Sequence, residues 1–219
     1  MGETIELTAA DGHTLHAYRA GPASAGKSLV VIQEVFGVNS HMRHVCDTFA
    51  AAGYAVLAPA LFDRVGPGLE LGYTPDDIAR GRELRSKIAD GAVMHDVEAA
   101  ASALGGVRAI VGYCWGGTVA WWGSTRSSSF KAAIGWYGGG IAATRTEPAR
   151  CPVQLHFGEN DSGIPLSDID AIREAQPAAE IFTYPGAQHG FGCNDRPSYH
   201  PAAAALAQER TLGFLAKHL

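Results

Sequence analysis

The chain has 219 residues, of which 47% are hydrophobic, and a formal net charge of −5 at pH 7. This length is sufficient for one α/β domain with a hydrophobic core, and we expect a single domain over residues 1–219. Basic residues are not in excess, which is against a nucleic-acid-binding surface, and apolar runs such as "SLVVI" are too short to span a membrane.

The N-terminus and the cysteines bear on where the chain resides. The opening residues "MGETIELTAADGHTL" contain no basic segment followed by an apolar one, so they do not match a secretory signal. The four cysteines are scattered without a CxxC pair, which is against both a disulfide framework and a zinc knuckle. We therefore expect a cytoplasmic protein without a metal or other cofactor. We also expect it to be a monomer or a weak homo-oligomer.

Apolar runs and helical spacings predict the secondary structure. Residues 4–20 predict two strands joined at Asp11-Gly12, a dipeptide typical of hairpin turns. Residues 40–53 predict a helix with Ser40 as N-cap and Gly53 at its end. In chain order, further strands are predicted at 27–37, 54–59, 107–113, 131–139, 152–161 and 179–186, and further helices at 76–88, 91–104, directly after 114, at 166–176 and at 200–219.

This alternation of strands and helices predicts the fold class. Repeated strand-helix units indicate an α/β fold with a mostly parallel sheet covered by helices on both faces. In such sheets, ligands bind outside the carboxyl ends of the strands. The residues that directly follow each strand are therefore the candidates for a functional site.

The segment "IVGYCWGGTVAWW" carries the first candidate. Cys114 lies between a predicted strand and a predicted helix, with Gly112 and Gly116 two positions to either side. This pattern is typical of a nucleophile elbow, and the helix N-terminus favours a thiolate. A free cysteine is often only a small buried hydrophobic residue, but the glycine spacing favours a nucleophile here.

A thiol nucleophile needs a base and an acid that orients it. In α/β-hydrolases these follow in the order nucleophile, Asp or Glu, then His. Asp161 comes after the strand "VQLHF", and His189 comes after the strand "EIFTY". Asp161 could instead be a turn or cap residue, with Glu159 close by. The other eight of the nine histidines lie within predicted strands or helices or at the hairpin or chain ends, so none has the required position.

One group of residues has the composition of a zinc site. His41, His44 and Cys46 are of the types that bind zinc. Positions 41 and 44 can share a face of a helix, but position 46 points elsewhere. A solvated helix face is therefore favoured over a metal site.

The reaction also needs donors for an oxyanion. The backbone N–H of Trp115, directly after the nucleophile, would be one donor, and that of Val35 in the loop "QEVFGVN" would be the second. Glu34 beside it has two interpretations. Its carboxylate could raise the pKa of the thiol and keep it unreactive, or it could pair with a nearby arginine and support the loop.

These motifs together resemble the dienelactone hydrolases, or carboxymethylenebutenolidases, of chloroaromatic breakdown. "QEVFGVN" and "GYCWGG" in combination are specific to that family. The matching segments, in chain order, are "DGHT" at 11–14, "QEVFGVN" at 33–39, "MR" at 42–43, "GYCWGG" at 112–117, "GWYGGG" at 135–140, "GENDSGIP" at 158–165, "AQHGF" at 187–191 and "ERTLGFL" at 209–215.

The resemblance implies an α/β-hydrolase fold with about eight strands. It implies a catalytic triad of Cys114, His189 and Asp161. It further implies that Glu34 contacts the thiol in the resting enzyme and releases it when an anionic substrate binds. Phe36 and Tyr137, which lie in matched segments, are expected to contact the substrate.

The family also binds the substrate carboxylate with arginines. One is expected near Arg80 and Arg82, and Arg82 is our choice. The other family arginine lies four residues after the catalytic histidine, where this chain has Cys193. Arg196, three residues further on, is a possible substitute.

The sequence therefore predicts a cysteine-dependent hydrolase of an activated lactone or ester. Conversion of dienelactone to maleylacetate through a thioester is the leading hypothesis. A carboxylesterase of broad specificity for small neutral esters is an alternative, suggested by the missing arginine at position 193. A binding protein that keeps only the fold is a third, disfavoured by the intact Cys114, Asp161 and His189. The roles of Trp121 and Trp122, core or lid, stay open.

Overall fold

The near-continuous apolar runs of the chain become the central strands of one sheet. The computed structural model describes residues 2–22 and 25–219. Its strands are β1 (Glu3–Thr8), β2 (Thr14–Ala20), β3 (Lys27–Ile32), β4 (Ala55–Pro59), β5 (Val107–Tyr113), β6 (Ala132–Trp136), β7 (Val153–Gly158) and β8 (Glu180–Tyr184). Its helices are α1 (Ser40–Ala51), α2 (Pro75–Ser86), α3 (Asp90–Ala103), α4 (Trp115–Arg126), α5 (Leu166–Ala175) and α6 (Pro201–His218), with 3₁₀ turns at Leu61–Arg64 and Ala142–Thr144.

The strands form an eight-stranded sheet in the order β1-β2-β4-β3-β5-β6-β7-β8. β2 pairs antiparallel with both β1 and β4, and all other neighbouring pairs are parallel. β4, β6 and β7 are buried at every position, which requires cover on both faces of the sheet. The predicted α/β fold, with a mostly parallel sheet of about eight strands between helices, is confirmed. In the part of the chain that the structure describes, no helix combines the length and the apolar character needed to cross a membrane.

The predicted turns and helix ends are close to those observed. Gly12 follows Asp11 between β1 and β2 with a φ of +83°, a conformation that favours glycine. Helix α1 has Asn39 as N-cap, and the Asn39 side chain accepts a hydrogen bond from the Met42 N–H at 3.2 Å. The prediction of Ser40 as N-cap is therefore wrong by one residue. Asn and Ser cap helices about equally well, so local sequence could not choose between them.

The junction between β5 and α4 is packed closely enough to exclude any side chain at its glycines. A Cβ added at Gly112 would lie 1.8 Å from the Gly116 oxygen, and one at Gly116 would lie 2.3 Å from the Ile32 oxygen. Between them, Cys114 has a φ of +56°, which is rare for a residue with a side chain. Such a conformation costs on the order of 1–3 kcal/mol and persists only where packing enforces it. The glycines therefore hold the turn that presents Cys114.

Replacement of Gly112 by alanine is expected to destabilise the protein. The new methyl group overlaps the Gly116 carbonyl, and overpacking of this kind lowers the free energy of unfolding by about 3 kcal/mol. Gly213→Ala in the exposed part of α6 is the matched control, because an added Cβ there meets nothing within 4 Å. Better helix propensity should make that variant about 0.5–1 kcal/mol more stable. Urea unfolding measures both values, and equal stabilities of the two variants would contradict this account of the turn.

Candidate active site

Three side chains that lie far apart in the sequence meet at the carboxyl end of the sheet. Cys114 follows β5, Asp161 follows β7 and His189 follows β8. The His189 Nε2 atom lies 3.1 Å from the Cys114 Sγ atom, and the His189 Nδ1 atom lies 2.7 Å from Asp161 Oδ2. The Gly163 N–H donates to the other carboxylate oxygen of Asp161 at 2.8 Å. The imidazole is thus oriented by a carboxylate on one side and faces a thiol on the other.

The charges around the imidazole favour its protonated form. Burial of the ring by itself lowers the pKa of His189, but the charges of Cys114 and Asp161 outweigh this effect and raise the pKa to about 10. The Asp161 side chain is fully buried, whereas that of His189 is 31% exposed. In a site of low dielectric constant, a buried carboxylate has a strong effect on a neighbouring ring. The arrangement therefore favours an imidazolium beside the Cys114 sulfur.

The thiol and the imidazole open onto a cavity of about 450 Å³. Val35 and Phe36 border it from the turn after β3, and Trp115 borders it from the start of α4. The Trp115 N–H is the first of its helix and has no carbonyl partner within that helix. The two residues predicted as oxyanion donors, Val35 and Trp115, thus lie on the same cavity as Cys114.

Glu34 pairs with an arginine in the structure. The Arg196 Nη1 atom donates to Glu34 Oε1 at 3.1 Å, and the Glu34 side chain is fully buried. A Cβ at Gly190 would lie 2.3 Å from the same Nη1 atom, so the glycine gives the guanidinium room to reach Glu34. Of the two interpretations of Glu34, pairing with an arginine is the one seen here, while the hydrogen-bond partner of the Cys114 sulfur is His189.

Three arginines border the cavity, namely Arg82, Arg85 and Arg196. Arg80 lies outside the cavity lining and forms an ion pair with Glu83 on the surface of α2. Arg85 was not predicted from the sequence. Its guanidinium lies 5.0 Å from the centre of the Trp115 ring and donates to Asp90 at 2.6 Å. Arg85 lies one helical turn after Arg82, and residues at this spacing share a helix face, so the sequence could have indicated it.

The aromatic residues divide between the cavity and the core. Phe36 borders the cavity, but Tyr137, expected to contact the substrate, is fully buried and absent from the cavity lining. The Tyr137 ring packs 5.2 Å from the His189 ring. A φ of +40° at Tyr137 turns the chain directly after β6, which accounts for its place beneath the imidazole. Trp122 borders the cavity, whereas Trp121 is buried and donates to Thr144 at 3.0 Å.

His156 of β7, one of the histidines that could have been the base instead of His189, is a core residue. His156 is fully buried and forms hydrogen bonds with the Tyr184 hydroxyl at 2.8 Å and with Gln154 at 3.0 Å. Burial lowers the pKa of His156 to about 3, because the charged ring is poorly solvated there. Its neutral ring therefore has a structural role.

Of His41, His44 and Cys46, only His41 belongs to a group of possible metal ligands among the described residues. The group of possible ligands that the structure brings together, within residues 2–22 and 25–219, is Glu34, His41 and Cys193. All three are buried. The thiols of Cys46 and Cys193 are buried and all four cysteines are free. Burial and the charge of Glu34 raise the pKa of Cys193 to about 12.

Comparisons with known proteins agree with this fold. The model of the dienelactone hydrolase family matches residues 15–219. A Synechocystis protein provisionally named carboxymethylenebutenolidase is 37% identical over 216 residues, which are 88% of this chain and 87% of that protein. The carboxymethylenebutenolidase of Pseudomonas putida is 34% identical over 232 residues, with 99% of this chain and 97% of that protein covered. The crystal structure of a provisionally assigned dienelactone hydrolase from Klebsiella pneumoniae has a TM-score of 0.83 at 32% identity and covers 98% of this chain and 99% of that one.

Replacement of Asp161 by asparagine is expected to lower the pKa of His189 by about one to two pH units, because the carboxylate on Nδ1 is lost. In the folded wild-type protein, the pKa of His189 lies above its value of about 6.5 in the unfolded chain. Protonation of the ring therefore stabilises the folded state, and this stabilisation is complete below about pH 6.5. This contribution is lost as the pH rises through about 10. NMR titration of the ring protons measures the pKa.

Asp170→Asn is the control for this experiment. Asp170 pairs with Arg173 on the surface of α5, and the pKa of His189 should not change in that variant. A pKa that is the same in Asp161→Asn and in the wild type would contradict the electrostatic role assigned to the carboxylate.

Proposed function

This chain belongs to the dienelactone hydrolase family and is an ester or lactone hydrolase, and from that premise we propose that Cys114, His189 and Asp161 form its catalytic triad. The proposed reaction is the opening of an activated, anionic lactone through a thioester on Cys114. Conversion of a dienelactone to maleylacetate is the leading example.

The observation that carries the proposal is the continuous contact of the three side chains. The Cys114 sulfur, the His189 ring and the Asp161 carboxylate follow one another at 3.1 Å and 2.7 Å. This is hydrogen-bond reach for nucleophile to base and for base to acid. The order along the chain is also that of α/β-hydrolases.

In the proposed mechanism, the Cys114 thiolate attacks the lactone carbonyl. The backbone N–H groups of Val35 and Trp115 hold the oxyanion of the tetrahedral intermediate, and their place on the cavity beside the sulfur supports this role. Collapse of the intermediate breaks the ring C–O bond and leaves an acyl thioester. The enolate oxygen leaves with the electron pair of that bond and takes the proton of the His189 imidazolium, so the ring becomes neutral.

His189 then completes the cycle. Its Nε2 atom removes a proton from water, and the resulting hydroxide attacks the thioester carbonyl and releases the acid. The Cys114 thiolate is the leaving group and is regenerated. Asp161 keeps the ring in position and stabilises its charged form.

The choice of sulfur explains why the substrate should be activated. A thiolate leaves a tetrahedral intermediate more easily than a poor leaving group does, so attack on an unactivated ester would tend to reverse. An enol lactone expels a stabilised enolate, which competes with the thiolate. The combination favours lactones and esters of acidic alcohols.

The arginines on the cavity support an anionic substrate. Arg196 pairs with Glu34 and Arg85 pairs with Asp90, so both charges are already balanced. Within the ranges 2–22 and 25–219, Arg82 takes part in none of the ion pairs. The Arg82 guanidinium is therefore the one best able to bind a substrate carboxylate.

Cys193 in the place of the family arginine keeps a carboxylesterase for neutral esters as the second candidate. Cys193 is buried and lies outside the cavity lining, so that position offers no charge to the substrate. The two candidates differ in the ratio of kcat/KM for an anionic lactone to that for a neutral ester of similar size. A ratio well above one supports the lactone hydrolase.

Replacement of Cys114 by alanine is expected to reduce turnover of a nitrophenyl ester by roughly 10⁴-fold or more, because no thioester can form. Cys151→Ala is the matched control, since Cys151 is a free thiol outside the cavity and should be dispensable. Mass spectrometry of the quenched wild-type enzyme should find the acyl group on the peptide that contains Cys114. Near-wild-type activity in Cys114→Ala, with a normal circular dichroism spectrum, would show that the nucleophile is another residue.

Replacement of Arg82 by alanine is expected to raise KM for a carboxylate-bearing ester by about tenfold, the size of one charged hydrogen bond. KM for a neutral ester should change little. Arg80→Ala, on the same helix but outside the cavity, should leave both values near those of the wild type. Equal effects of Arg82→Ala on the anionic and the neutral ester would count against Arg82 as the carboxylate ligand.

A further inference from the structure

A buried cluster of three possible metal ligands lies behind the loop that carries Val35. Glu34 comes from the turn after β3, His41 from the first turns of α1 and Cys193 from the loop after β8. One oxygen, one nitrogen and the sulfur of these residues lie within 4.8 Å of one another. Each of the three residues is at most 4% exposed. The proposed catalytic reaction uses neither His41 nor Cys193.

Two polar side-chain atoms of these residues are buried without a hydrogen-bond partner among the described residues. They are Glu34 Oε2 and His41 Nε2. A buried carboxylate oxygen or imidazole nitrogen that is left unpaired costs free energy, so nearly all such atoms in proteins have a partner. Because Glu34, His41 and Cys193 each offer a ligand atom within 4.8 Å of the others, one central occupant can contact all three residues.

The neighbouring hydrogen bonds already orient the ligands. The His41 Nδ1 atom lies 3.1 Å from the amide oxygen of Asn194. An amide oxygen only accepts, so Nδ1 carries the proton and the Nε2 lone pair stays free to bind a metal ion. A ring N–H that donates to an oxygen is also the usual support of a metal-binding histidine. Glu34 uses Oε1 for Arg196, which leaves Oε2 for the cluster.

We propose that Glu34, His41 and Cys193 bind a divalent cation of the Zn²⁺ type. Thiolate, imidazole and carboxylate together form a donor set that zinc prefers over magnesium or calcium. Zinc bonds of about 2.0–2.3 Å in a tetrahedron place ligand atoms roughly 3.5 Å apart. Ligand atoms that are now up to 4.8 Å apart would therefore move closer together on binding. The Cys193 thiol loses its proton to solvent as the metal–sulfur bond forms.

The surroundings supply a route to solvent and a link to the active site. His41 and Asn194 border a surface cleft of about 250 Å³ between α1 and α6. On the other side, the Glu34 carboxylate is shared with Arg196, which borders the catalytic cavity. A cation bound to Glu34 would thus stabilise the loop that contains Val35, without contact with the substrate.

Cobalt titration tests this site without any measurement of turnover. Co²⁺ added to chelator-treated protein should bind one equivalent and give the visible bands of tetrahedral cobalt with a thiolate-to-cobalt band in the near ultraviolet. Zn²⁺ should abolish both by displacement. Cys193→Ser should lose the thiolate band. Cys114→Ser and Cys46→Ser should keep it, because neither thiol belongs to the cluster.

Two outcomes would overturn the proposal. They are the absence of a thiolate band in the wild type, and a band that survives in Cys193→Ser but disappears in Cys114→Ser, which would assign the metal to the active-site thiol. His41→Gln keeps the thiol and serves if Cys193→Ser does not fold. Its Zn²⁺ affinity, measured by competition with a chelator, should fall at least tenfold, and an unchanged affinity would also overturn the proposal. The bands do not depend on hydrolysis, so these results are distinct from a failure of the proposed reaction.

Discussion

The site depends on one strained turn at the end of β5. Cys114 has a φ of +56°, and its N–H donates to the Trp136 oxygen at 2.9 Å on the neighbouring strand. Gly112 and Gly116 bring strand, turn and helix into direct backbone contact. This packing supplies the free energy that keeps a cysteine in a conformation it rarely adopts. Its result is a sulfur raised above the sheet, at the N-terminus of α4, where the helix dipole favours negative charge.

Around this sulfur, ionisable groups of opposite charge alternate. Asp161 raises the pKa of His189, and the imidazolium faces the Cys114 sulfur. On the Glu34 side, burial by itself lowers the pKa of Arg196, but the negative charges of Glu34 and Cys114 are among those that raise it overall. Each charge is stabilised by a neighbour of the opposite sign, which is how buried charges are tolerated in a protein. Binding of the proposed anionic substrate would add one more negative charge to this series.

The sequence predicted those parts of the site that follow from strand ends. Cys114 follows its strand directly, and Asp161 and His189 lie in the loops after theirs. Parallel strands end at a common edge of the sheet. Their proximity was therefore accessible from local patterns and chain order. The ion pair between Glu34 and Arg196 could not be predicted in this way. The Arg196 guanidinium reaches the Glu34 carboxylate only because of the conformation of the loop after β8. Local sequence left that choice open.

The sequence by itself determined the α/β class, the mostly parallel sheet and the proximity of Cys114, Asp161 and His189. The reason is that the spacing of hydrophobic residues and glycines defines strands, helices and turns within a few residues of the chain. Tertiary structure alone decided which loops touch. It placed Arg85 on the cavity and buried Tyr137 next to the His189 ring. It also brought His41 close to Cys193, which is distant in the sequence. Such contacts depend on how loops from separate strands fold over the same edge, and no short sequence pattern encodes that path.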